Sequence, residues 1–592
     1  MGSIVFAASP VNQQKIYPID SPVFEAMTQL YISEGFSLPS TTGPYSTNEL
    51  MLMLSHLNLD EKSLTRQAKT LYEYVYDTVY EEGKIFDFGL DINLEGYVHT
   101  DTTNFILPKD WIYSYEERKP LLDIILETHP SEHFYGLSSF SVTSARFYDS
   151  NNTVGPITGQ YGKYAFTSNL FFFNDYGFEN FDFGMPYRAF GAFGGNRWSV
   201  QVGREQLSWG PGKSGNFVLG DHLNYHNVGR LTTYSNHFKY TLLTSFFPHP
   251  SEYYHKPPDY ATTPVTPVTR YDYGGYVDYE TNQDMVLNGI NMFLAHRLEW
   301  RLFQEKVNLV LTEAIMYQSL ENTLDLRILS PTAIFHNYYI RGNANSMLAL
   351  EIDVTPIKHL NIYTQIAVDE FAIPGEATSG VENANPNAIA YMVGLQGNYP
   401  ISKGFLYGSF EWALTDPYLY LRDNGNRHQV AGEYGINYVV AVREYLRGRR
   451  IYYQEDFLGY KYGGDAIVLN GQVGYKEFGK WHLVANLFYM MHGTHDKWTL
   501  WSKEQGTVGT SLETTPTSDH ITGNNMYPET EINKRDSVEK TLVIGLQGGY
   551  TILSGLDVFG QVDFVNIVNP ENVSTNATKN DIQLTIGVSY HL

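Results

Sequence analysis

Apolar residues Phe86, Phe88, Leu90, Ile92 and Leu94 alternate with Asp87, Gly89, Asp91, Asn93 and Glu95. The C-terminal stretch repeats the pattern, with Ile582, Leu584, Ile586, Val588, Tyr590 and Leu592 on one face and Asp581, Gln583, Thr585 and Ser589 on the other. A period of two puts successive side chains on opposite faces of a strand. In a soluble sandwich the polar face meets water outside; in an outer-membrane barrel it lines the lumen while the apolar face meets lipid. Length separates the two cases. These segments run to about ten residues, enough to cross a bilayer at a tilt, against about five or six for a strand in a globular protein.

Connections give a second measure. Tight ones fall at Gln304 to Lys306, Pro356 to His359, Ser402 to Gly404, Glu477 to Lys480 and Ser554 to Gly555, and long ones near residues 97 to 136, 248 to 285, 318 to 344, 416 to 464 and 492 to 538. Short turns on one side and long loops on the other are the habit of outer-membrane barrels, and the pattern predicts about 18 antiparallel strands. The fold expected is an all-β transmembrane barrel over residues 85–592, preceded by a small N-terminal α-helical periplasmic domain over 18–82.

That N-terminal region has a helical period. Pro22 follows Asp20 and Ser21 as a helix start, Val23, Met27, Leu30 and Tyr31 share a face, and Gly35 supplies the stop. Ser46 and Glu49 form a capping box for a second helix with Leu50, Met51, Leu54 and Leu57, and a third runs from Asp60 to about Tyr80. Residues 1–10 read as a signal-peptide remnant or an expression tag.

Composition changes the picture in three ways. No apolar run reaches the length of a transmembrane helix, so strands must do any crossing. The 47 tyrosines suit interfacial girdles and sugar-stacking loops alike, and the absence of cysteine fits an envelope protein. A net charge of -24 opposes nucleic acid and anionic lipid as general partners.

Candidate chemistry is concentrated in a few places. The string Gly203 to Asp221 ends an outward strand in Trp209-Gly210-Pro211-Gly212, where Trp209 offers a stacking plane and Arg204 a bidentate donor. It lacks the spacing and the following helix of a phosphate loop. Parity puts Arg297, Glu299 and Arg301, then Glu351 and Asp353, then Asp369 on lumen faces, where they cross-link a plug, stiffen the wall or bind ligand. Glu313 and Arg204 fall on the apolar parity of their strands, which points to a bulge or a strand end. Arg443, Arg447, Arg449 and Arg450 cluster in a long loop and suit an anionic glycan or pairing with Glu444, Glu455 and Asp456. The loop His255 to Tyr279 is stiffened by prolines and rich in tyrosine, as a binding or a filler loop would be. Asp221, His222 and His226 are a weak metal-type grouping, and no nucleophile elbow or zinc signature is present. No catalytic residue, metal or cofactor is expected.

The Gly203 to Asp221 string resembles the capsule assembly Wzi family of outer-membrane barrels. The resemblance continues through His296 to Glu299, Thr312 to Tyr317, Leu329 to Pro331 with Phe335 and His336, Tyr363 to Gln365, and Asp416 to Tyr420, over roughly residues 20 to 592. Ser330 stands where an asparagine is expected, and Leu592 where a terminal aromatic is. The family implies a non-enzymatic barrel of 18 strands, plugged or narrow, that helps attach surface polysaccharide. The implied partners are that polysaccharide, outer-membrane lipid and other polysaccharide export or envelope proteins. Two rivals stay open on the sequence: a diffusion channel for small solutes and a surface adhesin.

Overall fold

The computed structural model describes residues 11–592 except 58–64, 83, 106–109, 114–116, 145–146, 151–152, 157–163, 171–180, 185–186, 250–275, 279–288, 320–323, 325, 331–343, 372–386, 422–435, 447–449, 498, 500–513 and 519–533. The wall begins with β1 (Phe86–His99), β2 (Leu122–Ser131), β3 (Phe134–Ser144), β4 (Ala189–Gly195), β5 (Trp198–Glu205) and β6 (His226–Tyr234). It continues with β7 (Phe238–Phe247), β8 (Ile290–Leu302), β9 (Val307–Ser319), β10 (Ala344–Ile357), β11 (Leu360–Glu370) and β12 (Ala388–Ile401). It ends with β13 (Gly404–Thr415), β14 (Ala466–Glu477), β15 (Trp481–His492), β16 (Glu539–Leu553), β17 (Leu556–Val568) and β18 (Lys579–His591). These 18 strands close into an antiparallel ring, β18 pairing with β1 from Gln583 opposite His99 to His591 opposite Asp91. Because β2 covers only Phe86 to Ile92 of β1, the short strand Phe166–Ser168 pairs with Gly96 to Val98 above it.

Parity along β18 is complete: Ile582 and Ile586 are 50% and 56% exposed on the outer wall, whereas Asp581 and Ser589 are each 1% exposed inside. An apolar exterior of this kind is stable only against lipid. The tight turns fall where the pattern puts them, at 303–306, 358–359, 402–403, 478–480 and 554–555. One expected loop is corrected, because the stretch 97 to 136 contains β2. Its alternation is masked by Ile125, which points inward yet is apolar because it packs on Ile16, Tyr135 and Phe190.

Glu313 is also corrected. It lies in mid-strand with no register shift, opposite His296 on the outer wall. The segment around the 3-10 turn Leu326–Leu329 folds back over this stretch, burying Met292, Leu294, Ile315 and Tyr317, and Ile328 O lies 3.1 Å from His296 Nε2. A polar pair on the outer face is therefore partly screened from lipid. Arg204, by contrast, sits one residue from the end of β5.

Three helices pack at the short-turn end: α1 (Pro22–Glu34), α2 (Thr47–His56) and α3 (Arg66–Val79). Gly35 ends α1 at φ +85, the left-handed region that favours glycine, Ser46 accepts Glu49 N–H at the start of α2, and Thr65 caps α3. The expected start of the third helix, Asp60, lies outside the described residues. The helical core of Met27, Leu30, Leu50, Leu54, Leu71 and Val75 takes in Phe405 and, at its edge, Phe478 from the barrel turns. His359 N–H donates to Ile32 O at 2.8 Å, Gln67 Nε2 to Ser402 O at 2.7 Å, and Lys358 and Lys476 pair with Glu34 and Glu25.

Candidate functional site

Between α1 and α2 the chain runs into the lumen, and the lumen-facing charges bind it there. Asp353 accepts Leu38 N–H at 2.8 Å, and Arg301 donates to the carbonyls of Leu38 and Pro39 at 2.7 and 2.8 Å. Glu299 accepts the hydroxyls of Ser40 at 2.7 Å and Thr42 at 2.6 Å and the Thr41 N–H at 3.1 Å. Arg297, with no exposed side-chain surface, donates to both Glu351 oxygens at 2.9 and 2.7 Å and to Thr42 Oγ1 at 2.6 Å. Lys239 pairs with Glu49 of α2 and donates to Thr42 O at 2.9 Å. Asp369 accepts Asn345 Nδ2 and Tyr420 N–H, each at 2.9 Å. Buried charge is tolerated when each group is paired and hydrogen-bonded. Of the six acidic and basic residues singled out by parity, five thus contact backbone of segments inside the barrel, and Glu351 acts through Arg297 and the Thr41 hydroxyl.

The residues after β5 make the second insertion. Trp209 N–H donates to Leu219 O at 3.1 Å and Gly210 N–H to Thr41 O at 2.8 Å, so the two inserted segments touch. A Cβ on Gly210, at φ +135, would lie 2.2 Å from Asn216 Oδ1, which is why this position takes no side chain. Trp209 is fully buried, with the Arg297 guanidinium 5.4 Å above its ring. The expectation that Trp209 offers a stacking plane to a sugar is therefore corrected: both faces are covered by the plug and the wall. Around it Leu207, Phe217, Leu219, Tyr420, Tyr438 and Tyr460 form one core with inward alanines of β8 to β14, among them Ala295, Ala314, Ala349 and Ala390. Small wall residues leave the volume that the plug fills. Glu411, which the sequence reading missed, accepts the N–H groups of Lys213 at 2.8 Å and Ser214 at 2.9 Å and the Tyr363 hydroxyl at 2.8 Å. Its parity between Phe410 and Trp412 was the available signal.

A third segment lies against β18 and β1. Ile112 N–H donates to Gln583 Oε1 at 2.8 Å, Lys119 N–H to Glu95 at 3.1 Å, and Lys119 Nζ to Ser589 Oγ at 3.2 Å. Arg118 lies 3.9 Å above the Tyr97 ring.

At the long-loop end the structure brings two of the predicted arginines to one tyrosine. The Arg204 guanidinium lies 4.2 Å over the Tyr225 ring, Tyr187 stacks on that ring at 5.9 Å, and the Tyr225 hydroxyl donates to Arg443 O at 2.7 Å. Arg443 is on the strand Val439–Leu446, paired with Arg450–Phe457. Arg447 and Arg449 lie outside the described residues, as do the side chain of Arg450 and most of His255 to Tyr279. His222 Nε2 is 2.8 Å from Phe457 O and His226 Nδ1 is 3.3 Å from Ser245 Oγ. Among the described residues no group of three or more histidine or acidic side chains is placed to hold a metal ion.

The short-turn end carries a pH-dependent contact. Glu305, in the β8–β9 turn, lies 2.9 Å from His56 Nδ1 of α2 and 3.2 Å from Arg301 Nη2. Burial would raise its carboxyl, but the His56 imidazole and the Arg301 charge more than offset this and hold it below the ordinary 4.5. A depressed carboxyl pKa contributes stability that is present above the unfolded value and lost as pH falls through the folded one. Glu305→Gln should flatten the loss of stability below about pH 4.5, read from unfolding midpoints in detergent across that range. An unchanged acid limb would show that other groups govern it.

No protein-family model matches the chain, and no curated protein does. Among solved structures the chain is similar to Wzi, an outer-membrane protein involved in group 1 capsule assembly in Escherichia coli and a carbohydrate-binding β-barrel. That likeness is at 12% identity and a TM-score of 0.54, over 97% of this chain and 98% of that one. It is also similar to the outer membrane channel DcaP of Acinetobacter baumannii, at 9% identity and a TM-score of 0.32 over 86% and 97% of the two chains. A BenF-like porin from Pseudomonas fluorescens matches at 10% and 0.35 over 86% and 99%. The first likeness shows the fold, an outer-membrane β-barrel, and the other two are too loose to carry an argument.

Proposed function

We propose that this protein is a non-enzymatic, plugged outer-membrane barrel that holds surface polysaccharide, capsular or exopolysaccharide, at the cell surface. The observation that carries the reading is the apolar core inside the lumen, where a diffusion channel needs a continuous column of water. With the interior occupied by packed side chains, the long-loop end is the working surface, and Arg204 and Arg443 with the Tyr187 ring supply cation and ring there, positioned by the buried Tyr225 beneath them. Guanidinium groups pair with the carboxylates or phosphates of an anionic glycan, and tyrosines stack on sugar rings. The short-turn end with its helices faces the periplasm, and other envelope proteins meet it there. Similarity to a carbohydrate-binding barrel supports the same reading.

The test is binding of the purified protein, in detergent, to polysaccharide prepared from its own cell. Replacing Arg443, Arg447, Arg449 and Arg450 by serine should weaken that binding about tenfold or more, since each charge-assisted contact contributes roughly 1.5–3 kcal/mol. The folded, heat-modifiable form should persist. Unchanged binding by the folded variant would remove these arginines from the site.

A further inference from the structure

Tyr72, Tyr76 and Tyr80 recur at four-residue spacing along α3 and its C-cap. Four residues advance about 40° beyond a full turn, so the three side chains climb away from the buried stripe of Ala68, Leu71, Val75 and Val79. Tyr72 packs against the helical core, whereas Tyr76 and Tyr80 are 45% and 38% exposed. Their rings form a ladder: Tyr72 and Tyr76 centroids are 6.3 Å apart at 22°, and Tyr76 and Tyr80 are 4.4 Å apart at 25°. The platform is held in place, since Gln67 donates to Ser402 O, Tyr17 Oη donates to Thr78 O at 3.3 Å, and the opposite face is in the core. Rings ordered in advance lose little freedom on binding.

The charges beside the exposed end of the ladder have one sign: Glu73, Asp77, Glu81 and Glu82 are exposed around Tyr76 and Tyr80. The cations of the same stretch lie at its ends, Arg66 and Lys69 before Tyr72 and Lys84, which is paired with Asp87, after Tyr80. Aromatic faces flanked by carboxylates attract ammonium and guanidinium groups through the ring quadrupole and through charge. The same carboxylates repel an anionic membrane surface and an anionic glycan. We infer that this face of α3 docks a basic segment of a partner protein at the short-turn end, with lysine or arginine side chains against the exposed surface of the Tyr76–Tyr80 stack and paired with the four acids.

The experiment uses the full chain in its own cell, with p-benzoylphenylalanine in place of Tyr76 and, in a second strain, of Tyr80. Heat-modifiable migration confirms that each variant is folded before irradiation, and the adduct is sequenced by mass spectrometry. The expected result is a protein adduct whose cross-linked peptide carries lysine or arginine. Its yield should fall about fivefold or more when Glu73, Asp77, Glu81 and Glu82 are changed to glutamine, the effect of losing several weak charge contacts together. Adducts confined to lipid or glycan, a neutral or acidic peptide, no adduct at either position, or an undiminished yield in the glutamine variant would overturn it. None of these outcomes bears on glycan binding at the long-loop end.

Discussion

Glu351→Leu should destabilise the folded barrel by about 3–5 kcal/mol, the cost of leaving a buried guanidinium without its carboxylate. Arg297 has no exposed side-chain surface and Glu351 only 4%, so water cannot replace the lost partner. The double variant Arg297→Met with Glu351→Leu should recover most of the loss, because well-packed apolar residues substitute for a buried ion pair at little cost. Thr42 still donates to Glu299 in that variant, which keeps the inserted segment partnered. Denaturant midpoints in detergent check both variants. A mild single variant, or a double variant as weak as the single, would show that the pair does not hold the plug.

The second large effect is at Trp209. Removing its buried ring should cost about 3–5 kcal/mol through the cavity left in the core. Glycan binding by the protein that remains folded should be unchanged, because the ring lies inside the plug and is not at the loop surface. Melting temperature and binding, measured on the same preparation, separate the two roles. Lost binding with unchanged stability would return Trp209 to the ligand site.

The wall was legible from the period of two because lipid outside and polar groups inside impose opposite demands on neighbouring residues. Asp581 to Leu592 shows this without exception. The same rule hid β2, where Ile125 faces inward onto Ile16 and the contrast between faces vanishes. The plug was harder to see, since beyond the outward strand that ends in Trp209-Gly210-Pro211-Gly212 the string to Asp221 carries no strand or helix period. A clue stood in the wall itself. On β8 the inward face is apolar at Phe293 and Ala295 and charged at Arg297, Glu299 and Arg301, and on β10 it passes from Met347 and Ala349 to Glu351 and Asp353. Two layers at nearly the same height on the strands that flank β9 mark an apolar plug above a polar one. The partners of the charges, Ser40, Thr41 and Thr42, have no pattern of their own and become identifiable only when the chain is folded. Tyr225, which joins Arg204 to Arg443, is linked to each by distance across the fold and by nothing in sequence spacing.

The most direct measurement is the amount of polysaccharide released into the medium when this protein is deleted from its own cell, with total synthesis followed in parallel. Release from the surface at unchanged synthesis is the predicted result. An intact coat at the same level of synthesis would contradict the account.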